Sequence, residues 1–349
     1  MPTDHPTPEA ISPDSVHGAG GKRHAAWVYE AIKAGSRYHH RTKTPWRHNA
    51  VNLACTALVV GVIGTTMWAG QHVAWPLYLP LAAIIFGWAY FGLFILVIHE
   101  ASHGMFLVGT DRRRAQRWNT MSGWAVSVFF GVHYRKHWAE GHLEHHVRPL
   151  EPTDPQRFSL PIGKALASTA LRYFFIPGYL FYDRTVGRKR HKGGKSASTR
   201  GAIVAFVGIW SVMLPTVTIT LGWPVAVAMF WGLHILAIWN LAKGGLEHGG
   251  AIGQEPDPMF RSRTSLFPGR RLIMPFNITL HFEHHLNFTV PWYDLWRFHK
   301  ELRAIAPPEV WQDVINNRPL RQLQGRMKGL SPAARALTLP APSPPAGTP

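Results

Sequence analysis

Nine of the 21 histidines stand in tight groups: His99 and His103 in HEASH, His142, His145 and His146 in HLEHH, His281, His284 and His285 in HFEHH, and His248 in GLEHGG. Spacings of three and four put imidazoles on one helix face, so each string can aim two or three nitrogens at one point. HEASH alone matches H-E-x-x-H, in which two histidines a turn apart hold zinc and the glutamate acts as general base of a metalloprotease. That reading requires a third ligand from a later span and leaves both H-x-x-H-H strings idle. A lone H-x-x-x-H pair is more often structural than ligating. Nine crowded imidazoles are another matter, because mutual repulsion opposes protonation and unpaired nitrogens want partners, and a metal relieves both.

A catalytic zinc takes three protein ligands and a structural zinc four. Nine imidazoles therefore fit two metals with four or five each. Imidazole suits zinc, copper, iron and nickel alike, so ligand type does not choose among them. The single cysteine, Cys55, lies in an apolar run away from every histidine group, which argues against structural zinc, iron–sulfur and blue-copper sites. Glu100, Glu144 and Glu283 each sit inside a string. They would either accept a hydrogen bond from the far nitrogen of a ligand imidazole or be plain solvated carboxylates, and the two readings stand even. His137 is a reserve ligand, and His133 is a surface or supporting residue. His234 reads as a packed histidine, although an ionisable group at membrane depth is a site candidate by default.

The elements that must carry these residues are set by the charges. Residues 48–99 contain no Lys, Arg, Asp or Glu across 52 positions, and residues 201–242 none across 42. A membrane helix needs about 20 apolar residues, so each block holds two spans. The breaks are AGQHVAWP (69–76) and TLGWP (220–224), rich in Gly, Pro and interfacial Trp. The expected fold is all-α and membrane-integral: spans near 50–70, 77–98, 202–221 and 224–242 form two helical hairpins under a helical cap carrying the histidines. Mean hydropathy of −0.06 conceals this division.

The 37 Lys and Arg fall 7 before residue 48, 17 within 112–200 and 13 from Lys243 onward. Four spans put both termini and the central segment on one side, and the positive-inside rule makes that side cytoplasmic. The net charge of +18 is spread over segments flanking the spans, which suits anionic lipid head groups rather than nucleic acid. Residues 1–47 are expected to form a flexible leader and a basic membrane-surface segment, with no cleaved signal peptide. Residues 48–305 form the membrane domain, and 306–349 a C-terminal segment whose Pro/Ala-rich tail, from about 331, is disordered. MSGWAVSVFFGV (121–132) and LRYFFIPGYLFY (171–182) are too short to span and read as interfacial helices or core pieces. Residues 186–200 read as a linker.

The order H-x-x-x-H, H-x-x-H-H, H-x-x-H-H, interleaved with two hairpins over residues 45–305, resembles the membrane fatty acid desaturase/hydroxylase superfamily. GLEHGG is similar to the Glu-His that bacterial members carry after the last span, and EPTDP (151–155) to the family's Asp-Pro. HFEHHLNFTVPWYDLWRFH (281–299) resembles the third histidine box with its Val-Pro-aromatic continuation and later His. The resemblance implies that His99, His103, His142, His145, His146, His248, His281, His284 and His285 hold two non-haem irons, with O₂ as co-substrate. Asn240 stands eight residues before His248, whereas the acyl-CoA branch has an Asn four before, so the pattern departs there.

The implied activity is that of an O₂-dependent oxidoreductase that introduces a double bond into a fatty acyl lipid. A hydroxylase or ketolase acting on a fatty acyl, sphingolipid or carotenoid substrate is the alternative within the same fold. The intramembrane zinc protease is a remote third. A carrier is disfavoured because the histidines lie at one surface rather than at the bilayer midplane. Residues 84–95 and 229–240 could line an acyl groove, but helix packing is the better reading for most of them. No G-x-G-x-x-G follows a strand and no His-Pro-Gly-Gly is present, so electrons must come from a ferredoxin, a cytochrome b5-like protein or a reductase. The flanks look most like bacterial members, which implies the plasma membrane of a bacterium.

Overall fold

Four helices are long and apolar enough to cross a membrane: Pro45–Ala69, Trp75–Ser102, Gly201–Leu221 and Trp223–His248. This computed structural model describes residues 24–39, 44–154, 156, 160–182 and 200–340. The leader, the linker 186–199 and the tail from 341 fall outside the described residues. Pro stands in the first turn of α2 (Pro45–Ala69), α3 (Trp75–Leu93) and α10 (Trp223–His248), where its missing N–H has no partner to lose. Pro80 in α3 and Pro215 in α9 (Arg200–Leu221) sit inside their helices, a placement that neighbouring helices make tolerable in a membrane.

The four are not equivalent. The apolar stretch of α2 is 17% buried within the protein and that of α9 22%, against 67% and 61% for the spans holding α3 and α10. α3 and α10 form the inner pair, with α2 against α3 and α9 against α10. Two glycines permit the inner contact. A Cβ on Gly87 would fall 2.3 Å from Ile235, and one on Gly232 would fall 2.7 Å from Phe86. Small residues of this kind let membrane helices approach closely. Phe86, Tyr90, Phe91, Leu233 and Leu236 are buried in this core, so much of both candidate groove linings is spent on helix packing.

Two span ends differ from the expected positions. The second span does not stop near 98: α3 passes into a π-helical turn, Phe94–His99, and then α4 (Glu100–Ser102). The fourth runs to His248 rather than 242, because the charge of Lys243 is met one turn later by Glu247 at 2.7 Å. Both inner helices therefore deliver histidines on rigid backbone.

The cap is built from short elements. α5 (Arg112–Phe129) leads to a second π-helical turn, Tyr134–Ala139, then α6 (Gly141–Val147), α7 (Lys164–Phe175) and α8 (Tyr179–Tyr182). After α10 come two 3₁₀ turns, β1 (Thr264–Ser265), α11 (Arg270–Ile273), α12 (His281–Leu286), α13 (Leu295–Ile305), α14 (Pro308–Val314), β2 (Ile315–Asn316), α15 (Pro319–Leu323) and α16 (Pro332–Ala336). The only sheet among the described residues is the parallel pair β1–β2. α1 (Ala26–Ser36), within the basic segment expected along the membrane surface, buries Val28 and Ala31 against Phe260, Phe282, Val310 and Ala334.

Residues 331–340 differ from the disorder that their Pro/Ala composition suggests. Ser331 caps α16 by accepting from the Ala334 N–H (3.2 Å), and Arg335 forks onto the buried Glu255 (2.8 and 2.9 Å). Buried partners far away in sequence order a stretch that local composition leaves open.

Candidate metal centre

All nine histidines are at most 8% exposed. They fall into two groups whose ligand-capable atoms lie within 4.8 Å of one another: His99, His103, His142, His146 and His284 in one, and His145, His248, His281 and His285 in the other. The strings are therefore split, and no H-x-x-H-H string aims all its nitrogens at one point. On α6 the i,i+4 pair His142 and His146 faces the first group while His145 turns to the second. On α12 the pair His281 and His285 faces the second group while His284 turns to the first. Residues four apart are turned by about 40° on a helix and those one apart by about 100°, so adjacent histidines cannot share a target. The groups touch where His146 stacks on His285, with centroids 4.3 Å apart.

Backbone irregularities set the directions. Each π-helical turn accommodates an extra residue before a histidine string, a feature that recurs at functional sites. The chain after His103 is held by three asparagines. Asn49 pairs with both backbone groups of Val108 (2.8 and 2.9 Å), Asn119 with both of Leu107 (3.0 and 2.7 Å), and Asn52 donates to the Met105 and Phe106 carbonyls (3.1 and 2.8 Å). Beyond α10, a Cβ on Gly253 would fall 2.2 Å from the His248 carbonyl oxygen, so the turn after this histidine needs glycine there.

Four of the far nitrogens are hydrogen-bonded. His145 Nδ1 pairs with Asp154 (2.8 Å), His142 Nδ1 with Gln156 Oε1 (2.7 Å), and His248 Nδ1 with the Arg261 carbonyl (2.7 Å). His99 Nδ1 pairs with Glu100 (3.3 Å), while His281 Nδ1 lies 3.2 Å from Glu247 without a hydrogen bond between them. A carbonyl or carboxylate can only accept, so the proton sits on Nδ1 and the Nε2 lone pair faces inward. His248 Nε2 is then 3.2 Å from His145 Nε2 and 2.9 Å from His281 Nε2. The facing lone pairs of His145 and His248 repel at that distance, and a cation between them removes the conflict. Nε2 of His99 and of His284 are buried without any hydrogen-bond partner, as expected of a donor set built for a metal. The nine residues fit two metal ions.

Burial, and after it the neighbouring imidazoles, hold His142, His146, His281, His284 and His285 well below the usual histidine range. They stay neutral, which is the form that ligates. Apolar rings close the surroundings. Trp138 lies 4.8 Å from the His142 ring, and Phe288 stacks 4.9 Å from His103.

The three glutamates inside the strings divide. Glu100 stands beside His99. Glu283 is fully buried but turns away, accepting from His299 Nδ1 at 2.5 Å and from the Thr264 hydroxyl. Glu144 is half-buried, and its carboxylate pairs with Arg148 at 3.6 Å. His137 lends its carbonyl to Gln156 Nε2 (2.8 Å) and keeps its ring out of both groups. His133 packs its ring at 4.7 Å from Trp124. His234 is buried in α10, its ring 5.7 Å from Trp231, and it lies outside both groups, as does half-buried Asn240.

Other residues matter as much, and sequence reasoning does not single them out. Asp154 stands out only as part of the family-like EPTDP and Glu247 only as half of Glu-His, while neither Gln156 nor the Arg261 carbonyl has any local signal. Gln322, on α15, is 1% exposed and donates to the carbonyls of Gly249 (2.6 Å) and Gly245 (3.2 Å), which bracket Glu247 and His248.

No curated protein matches the chain. A model of the fatty acid desaturase family covers residues 73–314, more than half of the sequence and all nine grouped histidines, and the protein belongs to that family of membrane oxidoreductases.

Proposed function

We propose that the two groups hold two iron ions, one through His99, His103, His142, His146 and His284 and the other through His145, His248, His281 and His285. The observation that supports this most is the split itself: nine buried imidazoles divide five and four, with no thiolate and no carboxylate in either group. Bound iron supplies reduction of O₂ by two external electrons and hydrogen removal from an unactivated C–H bond. The reaction is insertion of a double bond into a fatty acyl chain. Two hydrogens leave neighbouring carbons and, with O₂, two electrons and two protons, yield two waters.

The chain's own residues hold the geometry. Asp154, Gln156, Glu100 and the Arg261 carbonyl keep four Nδ1 protons in place, so that those Nε2 lone pairs stay aimed inward. Trp138 and Phe288 exclude water beside the first group. The site faces the cytoplasm, in our reading of a bacterial plasma membrane. The basic flanking segments suit an acidic electron donor, whether a ferredoxin, a cytochrome b5-like protein or a reductase.

Metal analysis of the purified protein, paired with lipid mass profiling of expressing cells, tests this. Two irons per chain and a lipid lacking two hydrogens are expected. A product gaining one oxygen would move the assignment to hydroxylation. One zinc and unchanged lipids would sink it.

A further inference from the structure

The segment between β1 and α12 leaves the cap and returns to it. Its neck is closed where the Ser265 N–H donates to the Thr279 carbonyl (2.8 Å) and Thr264 bridges Leu280. Its tip is α11, reached through Gly269 in the left-handed region (φ 72°). The tip meets the inner spans. Trp88 on α3 donates its indole N–H to the Leu272 carbonyl (2.6 Å), and Trp239 on α10 donates to that of Ile273 (2.7 Å).

A hydrocarbon core of about 30 Å takes about 20 helical residues. Counted from Trp75 and Trp223, the near boundary falls close to Ile95 and Lys243, the latter being the first charged residue of its span. Trp88 and Trp239 then lie about 10 Å and about 6 Å inside that boundary, at 1.5 Å per residue. The tip goes with them. Leu272 is 72% and Ile273 45% exposed, continuing the exposed stripe Leu81, Ile84 and Ile85 on α3 that leads to Trp88. Two polar side chains nearby are already paired, and Arg271 reaches over the Trp296 ring (5.8 Å). Arg270 donates to Thr279 Oγ1 (3.0 Å) and lies over the Trp296 ring, and Asn277 donates to the Trp292 carbonyl (2.9 Å). An unpaired carbonyl is costly in hydrocarbon, and the two tryptophans remove that cost at the two residues that protrude most.

We propose that residues 266–276 form a bilayer-inserted arm, with Leu272 and Ile273 among the acyl chains of the leaflet on the histidine side and Arg271 at its head groups. Continuity with the lipid-facing stripe of α3 selects lipid as the occupant. The arm bears directly on the metal centre, because its neck ends at Leu280, the residue before His281, and Thr264 donates to Glu283 on α12. The inference rests on the placement of the spans and stands whatever metal the histidines bind.

The test uses the full chain in phospholipid nanodiscs with its one cysteine removed (Cys55→Ser). Leu272→Cys and Ile273→Cys are compared with Leu320→Cys, which is 71% exposed on α15. A thiol held in hydrocarbon forms little thiolate, so Leu272→Cys should react with a membrane-impermeant maleimide about tenfold more slowly than Leu320→Cys, and equally fast in denaturant. A bimane at 272 or 273 should be quenched by lipids nitroxide-labelled near the head of the acyl chain. Equal rates in nanodiscs would overturn the proposal. Slow labelling without lipid quenching would also overturn it, since a protein partner or a second copy would then be the cover.

Discussion

The five-imidazole group is assembled from two i,i+4 pairs and one residue borrowed from α12, whereas the four-imidazole group has one such pair and borrows the other two, from α6 and from the end of α10. Their outer supports differ in the opposite sense. The smaller group has a carboxylate behind His145 and another beside His281, with a backbone carbonyl behind His248. The larger has the neutral amide of Gln156 behind His142 and one carboxylate, Glu100, behind His99. Carboxylates raise the basicity of the imidazole they hold. The group with fewer candidate ligands thus has two carboxylates beside it, Asp154 and Glu247, and the group with more nitrogens has one, Glu100. Ligand number and outer charge are therefore balanced differently in the two groups.

The sharpest way to break the comparison is to remove one imidazole from each group. His145→Ala and His284→Ala should each abolish product formation and lower the iron content from two towards one per chain, measured by metal analysis. If either keeps both irons, the two groups are not separate sites.

Acid comes next in size. His142, His146, His281, His284 and His285 are neutral when buried and lie below the ordinary histidine range, so the unfolded chain binds more protons than the folded one at low pH. Stability of the metal-free protein is therefore fully present well above the ordinary histidine value of 6.5 and is lost progressively as pH falls through and below it. Thermal melts of metal-free protein between pH 7.5 and 5.5 should show a falling Tm, and bound metal should shift the decline to lower pH.

Exchanging the outer supports sharpens the contrast. Asp154→Asn should weaken metal retention by the four-imidazole group about 10- to 100-fold, read by iron loss to a chelator, with the five-imidazole group keeping its ion. Gln156→Ala should do the reverse and more weakly. Gln322→Ala removes two hydrogen bonds from the end of α10 and should cost about 1–2 kcal/mol in a denaturant titration. The smallest effect belongs to Glu144→Ala, expected within about 0.5 kcal/mol of wild type with unchanged iron. Its carboxylate pairs with Arg148 at 3.6 Å.

Much of this architecture is legible in the chain itself. Charge-free blocks reveal four spans, and residue type and spacing reveal nine histidines, because both signals are local. The division of HLEHH and HFEHH between two targets is harder to read, although the helical angle between adjacent residues already forbids a shared one. Asp154 and Gln156 are hidden because their task depends on a chain path that brings these two side chains to His145 and His142 of α6. Gln322 is hidden because more than 70 residues separate it from the carbonyls it holds. Residues 331–338 mislead in the other direction: a composition typical of loose chain is ordered by Glu255, a buried acceptor far upstream.

The two π-helical turns place part of the site's specification in residue count rather than residue type. No single substitution between Phe94 and His99 alters how many residues lie between the packed face of α3 and the first histidine pair. Deleting one residue there would leave an ordinary helix with both histidines facing nearly as they do now, whereas deleting one from the regular helix before Phe94 would turn His99 and His103 by about 100°. Every side chain of the centre would survive such a change, yet two of them would point elsewhere.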